Sequence, residues 1–278
     1  LRGRSVMVIT VLRFTGSNRP RSNATARSQA GLRGTVGAGN PIVGGQMETL
    51  DSIIDALAPD SLLRALSRDQ LEGLLAKSSR RELKKGDVLI NQGDEESHFA
   101  VYLLSGALKI SFVSAGGREI ILNYCAPNEL VGEIALLDSG PRTASVTAVV
   151  PSAVLLLPTQ TFLETVSNNP ASVVGVMREL ARRVRQLNLV VESDRTFSMG
   201  PRLARAMVRL IDRNRGDGRL IYNPSQNDLG AFAGLARENV SRLLSEWEAQ
   251  GVIERKSRSL VVRDTEYLDL LAEFGDEA

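Results

Sequence analysis

Between Gly86 and Pro158 the chain changes its period. Upstream, from Asp51 to Ser79, Leu62, Leu63, Leu66, Leu71, Leu74 and Leu75 recur at helical spacing. Then "GDVLINQGDEESHFAVYLLSGALKISFVSAGGREIILNYCAPNEL" breaks into short apolar runs, cut by Gly86, Gly93, Gly106, Gly116, Gly117 and Gly132. "ASVTAVVPSAVLLLP" adds two more such runs. Turns this close together cannot house the crossover helices that a parallel sheet requires, so the strands must pair antiparallel, as a barrel or sandwich. Helix is expected to return at Ser172. Leu180, Val184, Leu187 and Val191 then step by four, three and four, the spacing of a coiled-coil seam. Such a seam packs either on its own domain or on a second copy. Its place between a finished β unit and a further domain favours the dimer. "FSMGPR", Phe197–Arg202, holds Gly200-Pro201 and predicts a hinge.

The last segment reads as a helix over Arg202–Asn214, a loop, and two short helices. Ser225 followed by Asp228 has the form of an N-cap with an acid in the first turn. Leu229, Phe232 and Ala233 make a short apolar face, and Gly234 breaks it. A second helix is expected over Arg237–Ala249, where Val240, Leu243, Leu244 and Trp247 form its stripe. Gly251 ends that helix, and "VIERKSRSLVVRD" predicts a two-stranded wing. The fold class expected is therefore α+β: an N-terminal antiparallel barrel or sandwich, a long dimerisation helix and a C-terminal winged helix-turn-helix.

Composition narrows the chemistry. The chain has 278 residues, room for two domains and a linker, and a formal charge of +2. The one cysteine, Cys125, forms no internal disulfide and no thiolate cluster, which fits a reducing cytoplasm. The single histidine, His98, makes a histidine metal centre untenable, so no metal is expected. No apolar run approaches the ~20 residues of a membrane span. Residues 1–46 carry seven arginines and no acid, which leaves −5 of the total for Met47 onward. That Gly/Ser/Asn-rich stretch is expected to be disordered and to lie upstream of the true start at Met47. A basic DNA-touching arm or a transit-like peptide are its alternatives.

One short stretch carries chemistry: "GEIALLDSGPRTASVTA", from Gly132. Gly132 allows close backbone approach, "GEIALL" offers a helix start to an anion, and Arg142 adds a forked donor suited to phosphate. Glu133 would repel that phosphate unless it accepts from hydroxyls of the same ligand. A sugar phosphate or nucleotide satisfies both, and an internal Arg142–Glu133 ion pair is the competing explanation.

The order of residues in that stretch resembles the phosphate-binding cassette of cyclic-nucleotide-binding domains. From Asp51 to the C-terminus the chain resembles the CRP/FNR family of bacterial transcription regulators, related to the cyclic AMP receptor protein. The resemblance implies a β-roll at 51–169, a dimerisation helix and hinge at 170–199, and a winged helix-turn-helix at 200–278. It implies ligand contacts from Gly132, Glu133, Ile134, Arg142, Thr143 and Ala144, and from Arg183, Leu187 and Asn188 on the helix. Glu133 is expected on the ribose 2′-hydroxyl and Arg142 with Thr143 on the cyclic phosphate. Where the cyclic AMP receptor places Thr-Ser against the base, this chain has Leu187 and Asn188, and Thr143 is similar to a threonine that favours guanine. Cyclic AMP (cAMP) therefore ranks first as allosteric effector, with cyclic GMP close behind.

"LARENVSR" resembles the family's reading helix. It implies double-stranded DNA as partner, read by Arg237, Glu238 and Arg242, with Ser241, Ser245, Arg255, Lys256 and Arg258 on phosphates. The family often has serine where this chain has Ala236. A palindromic site with TGTGA-like halves, a second copy of the chain and RNA polymerase complete the implied partners. Two other classes compete: the same scaffold gated by haem, a gas or another effector, and a nucleotide-binding regulatory subunit. No nucleophile–base pair suggests an enzyme. His98, Cys125 and Trp247 are expected to be structural.

Overall fold

Strand β3 (Phe99–Ser105) is buried on both faces, and this explains why "FAVYLLS" is apolar throughout rather than alternating. Val101 and Leu103 point into the space between two sheets, where they meet Leu83, Ile90, Leu108, Val131 and Val146. Ala100, Tyr102 and Leu104 point the other way, onto a helical layer. The computed structural model describes residues 50–57, 61–95, 98–138, 140–211, 218–256 and 259–277. The Arg-rich stretch 1–46 and Arg258 lie outside the described residues.

The helical layer comes first in the chain: α1 (Leu50–Ala56), a 3-10 turn (Leu62–Ala65) and α2 (Arg68–Ala76). Ser67 caps α2 through a reciprocal box with Gln70, which satisfies two otherwise orphaned donors. Next come β1 (Ser79–Leu83), β2 (Val88–Ile90), β3, β4 (Leu108–Val113), β5 (Glu119–Cys125), β6 (Leu130–Val131), a five-residue helix α3 (Ile134–Asp138), β7 (Ser145–Ala148) and β8 (Ser152–Pro158). They form two four-stranded antiparallel sheets, in the orders β1-β8-β3-β6 and β2-β7-β4-β5. The expected antiparallel pairing is what forms. Cys125 is 1% exposed and lines the space between the sheets.

Helix returns earlier than expected, as α4 (Thr159–Ser167), which buries Phe162 completely against the first sheet. Burying such a ring contributes roughly 1.5–3 kcal/mol. Helix α5 then runs unbroken over Pro170–Thr196. Leu180 packs partly on the β-roll's helical layer. The rest of the expected seam is open: Val184, Leu187 and Val191 are exposed, and Met177, seven residues before Val184, joins them.

The hinge is shorter than expected. Only Phe197 and Ser198 separate α5 from α6 (Met199–Val208). Gly200 and Pro201 sit inside the first turn of α6, where a missing N–H costs nothing because first-turn donors have no helical partner. The helix expected over Arg202–Asn214 thus starts earlier and ends earlier. Helices α7 (Gln226–Ala233) and α8 (Arg237–Ala249) follow, then the wing strands β9 (Ile253–Lys256) and β10 (Ser259–Val262). A further helix, α9 (Thr265–Phe274), packs on α6. Asp264 caps it by accepting from the Tyr267 amide at 2.8 Å. Among the described residues no helix is long and apolar enough to cross a membrane.

Candidate functional site

Arg142 enters the β-roll through its backbone. Its N–H donates to Asp94 O and its carbonyl accepts from the Gly93 amide, each at 2.8 Å, so the segment before β7 is stitched to the turn after β2. From Pro141 to Ala148 burial alternates strictly, with Arg142, Ala144, Val146 and Ala148 buried. The guanidinium is carried inward with the apolar residues and is only 4% exposed. There Nη1 donates to Gly132 O at 2.9 Å and Nη2 to Phe99 O at 2.6 Å, and the group lies 5.3 Å from the centre of the Phe99 ring. Burial pulls the guanidinium below its ordinary pKa, and the Asp94 charge opposes that shift.

Both Nη atoms thus go to carbonyl oxygens, and the internal ion pair with Glu133 is not what holds Arg142. A guanidinium has five N–H donors, and these two carbonyls account for two of them. Glu133 is buried too, at 5% exposure, and its carbonyl accepts from Leu137 at the start of α3. Gly132 holds φ at +85°, and a Cβ there would stand 2.9 Å from Arg142 Nη1 and 3.0 Å from Ile90 Cδ1. The cassette is therefore shaped around its arginine, and a buried Arg142 with a buried Glu133 in the same short segment fits a ligand with a phosphate and hydroxyls. The expected helix start of the cassette is the first turn of α3, which opens at Ile134.

The other expected ligand residues are less closely gathered. Ile134 and Thr143 are exposed, Thr143 on the opposite side of the alternation from Arg142, and Ala144 is buried. Leu187 and Asn188 are exposed on α5, and the Arg183 side chain lies outside the described residues. His98 borders a separate open groove with Thr159, Gln160, Leu163 and Glu164.

The helix-turn-helix forms where the capping residues place it. Ser225 and Asp228 make a full capping box on α7. Gly234 ends α7 with φ at +67°, a left-handed cap that residues with a side chain rarely adopt. Val240, Leu243, Leu244 and Trp247 are buried, which turns Arg237, Glu238, Arg242 and Ser245 outward, with Ser241 at the edge. Arg255 and Lys256 are exposed on β9. Arg242 pairs with Glu246 at 2.9 Å rather than with Glu238. Ala236 makes no side-chain cap on α8.

Two features escaped sequence reading. A bulge at Leu122 shifts the β4–β5 register, so that Ile121 opposes Ser111 and Tyr124 opposes Lys109. Residues three apart then share one face, and Ile121 and Tyr124 both join the core of the DNA-binding half. Tyr124 meets Phe232 edge-on at 5.2 Å. Arg209 lies 4.8 Å from the Phe232 ring and donates to Asn123 Oδ1 at 2.9 Å and Leu122 O at 3.2 Å. The second feature is at the hinge. The Ser198 amide donates to Asp276 Oδ2 at 3.0 Å, and Arg205 donates to Ala272 O while lying over Phe197.

Residues 80–169 match the family described as Cyclic nucleotide-binding domain, and residues 201–271 match Crp-like helix-turn-helix domain. The chain is 30% identical over 215 residues to the Cyclic AMP receptor protein of Thermus thermophilus, covering 77% of this chain and 97% of that one. The chain belongs to the CRP/FNR family. It is also 31% identical over 225 residues to Transcriptional activator protein anr of Pseudomonas aeruginosa, covering 78% and 90%. The structure of FixK2 from Bradyrhizobium japonicum shares the fold, with a TM-score of 0.61 at 20% identity, over 70% of this chain and 96% of that one. As a CRP/FNR regulator, the chain couples a nucleotide-type effector domain to a DNA-binding domain, and the family's members are transcription regulators.

Proposed function

We propose that the chain is a cyclic-nucleotide-responsive regulator that acts as a homodimer on palindromic DNA with TGTGA-like halves, with cyclic AMP favoured over cyclic GMP. The observation that carries the reading is the buried Arg142 guanidinium, tied through each Nη to a backbone carbonyl, with Glu133 of the same cassette also buried. A bound nucleotide supplies one phosphate charge and a set of hydroxyls. Arg142 and Thr143 would hold that phosphate, Glu133 would accept from the ribose, and Asn188 would face the base beside Leu187. The exposed stripe of Met177, Val184, Leu187 and Val191 supports dimerisation along α5, since apolar residues at heptad spacing seek a partner helix.

On DNA, Arg237 and Arg242 would grip guanine edges and Glu238 would accept from cytosine. Ser241, Ser245, Arg255 and Lys256 would meet phosphates, which position the protein without selecting sequence. RNA polymerase is the protein partner such a regulator would meet at a promoter, and the cytoplasm is where it would work. One observation supports a second reading, the same scaffold answering another effector: the likeness to the relative named anr equals that to the cyclic AMP receptor protein.

Calorimetry with cyclic AMP and cyclic GMP tests the choice. Saturable binding that disappears in Arg142→Ala is expected. Heat from neither nucleotide, with selective DNA binding retained, would transfer the function to the other effector.

A further inference from the structure

The stretch that should meet DNA from the start of α8 to the end of β9 carries balanced charge. From Arg237 to Lys256 the chain has four cations (Arg237, Arg242, Arg255 and Lys256) and four carboxylates (Glu238, Glu246, Glu248 and Glu254). Three of the cations are engaged. Arg242 Nη1 meets Glu246 Oε1 at 2.9 Å. Arg255 Nε donates to Glu248 Oε2 at 2.7 Å, and its amide donates to Glu248 Oε1 at 3.2 Å. Lys256 Nζ lies 3.2 Å from Glu254 Oε1. Among the described residues of this face, Arg237 is the cation with no such pair.

Non-specific DNA affinity comes almost wholly from cations that neutralise phosphates. A face built only for affinity would leave its arginines bare. Here a phosphate must displace a carboxylate, or accept that carboxylate as a close neighbour. Both penalties fall on any duplex, whereas an arginine that also finds a guanine O6/N7 edge recovers a two-pronged contact. Wrong sequences are therefore penalised more than the right one.

We propose that Glu246 and Glu248 are specificity-determining residues: Glu246 holds Arg242 away from phosphates until a correctly placed base edge is offered, and Glu248 holds back Arg255, a phosphate contact, so that a wrong duplex gains little from either. The proposal rests on the DNA-binding reading above. The pairs are exposed and individually weak, so their role is in the charge the surface presents and not in holding the fold. The Arg255 hydrogen bond keeps the Glu248 carboxyl below its ordinary pKa, so the competitor stays charged across the neutral range.

Anisotropy titrations of wild type, Glu246→Gln, Glu248→Gln, the double variant and Glu266→Gln test this. The probes are a random-sequence duplex and the best duplex that the wild-type chain selects from a randomised pool, over a range of salt, with and without cyclic AMP. Glu266 sits on α9 and controls for loss of one negative charge. The double variant is expected to bind the random duplex roughly fivefold tighter, with a salt slope steeper by about one per arginine freed. The selected duplex should gain less, so discrimination falls. Glu246→Asp, which keeps a negative charge near the base-reading Arg242, should keep discrimination near that of the wild type. Random-duplex affinity no tighter than in Glu266→Gln, with an unchanged slope, overturns the proposal and leaves DNA binding standing. No binding of any duplex by any of these chains, even at low salt, removes the DNA reading itself and the proposal with it.

Discussion

Tyr124 and Tyr222 meet with ring centroids 4.7 Å apart and planes tilted by 42°. The first belongs to a β-roll strand and the second to the loop that leads into the helix-turn-helix. With Phe232 they form an aromatic contact between the half that holds Arg142 and the half that holds Arg237. Both phenol oxygens are buried without a hydrogen-bond partner. The contact is therefore apolar in its gain and penalised at its hydroxyls.

Removing one hydroxyl should strengthen the joint. A buried, unpaired polar group costs about 1–3 kcal/mol, so Tyr124→Phe and Tyr222→Phe should each raise stability by about 1 kcal/mol. Phe232→Ala should lower it by about 2–3 kcal/mol, because the Tyr124 edge and the Arg209 guanidinium both lose their partner. Thermal melting would register both signs, and hydrogen exchange at Ile121–Tyr124 would locate them.

Alkaline pH should loosen the same contact. Burial pushes both phenols up from their ordinary value of 10.0; each phenol then acts on the other, raising Tyr222 and lowering Tyr124, and the Asp228 and Glu119 charges add to the rise. For an acid raised by folding, the stabilisation is complete below the ordinary value and is lost as pH rises towards the folded one. Tyrosinate absorbance in the native chain should therefore lag behind that of the denatured chain above pH 10. Coincident curves would mean that the rings are not buried together.

Gly132→Ala should damage the ligand site before the fold. The new Cβ would meet Arg142 Nη1 and Ile90 Cδ1, at a φ of +85° that alanine rarely adopts. The cost in stability should be about 1–3 kcal/mol, and nucleotide affinity by calorimetry should fall at least about tenfold as the guanidinium is displaced.

Asp276→Ala should free the hinge. Asp276 accepts from both the amide and the hydroxyl of Ser198, so the end of the chain steadies the start of α6. Losing it should cost about 1 kcal/mol, the usual value of a helix-terminal cap. Limited proteolysis near Phe197–Ser198 should quicken, and unchanged cleavage would show that the hinge is held elsewhere.

Much of the candidate site was legible without coordinates because its signals are local. The glycine turns, the Ser225–Asp228 cap, the left-handed stop at Gly234 and the Val240–Trp247 stripe each depend on residues within one turn or one strand. Helix α4 and the two-residue hinge were missed because short helices and a proline in a first turn leave weak periodic signals.

Sequence by itself determined most of the elements, though not α4 or α9, and which face of each is apolar, because those follow from spacing of 2 or 3.6 residues and from what glycine, proline and the capping side chains do to the backbone. Only the tertiary structure decided that a one-residue bulge at Leu122 turns Tyr124 towards Tyr222, that Arg142 rests on two carbonyls rather than on Glu133, and that Arg242 takes Glu246 as its partner. Register and ion-pair choice depend on small energy differences between groups far apart in the chain or equally spaced along it, and no local pattern encodes those differences.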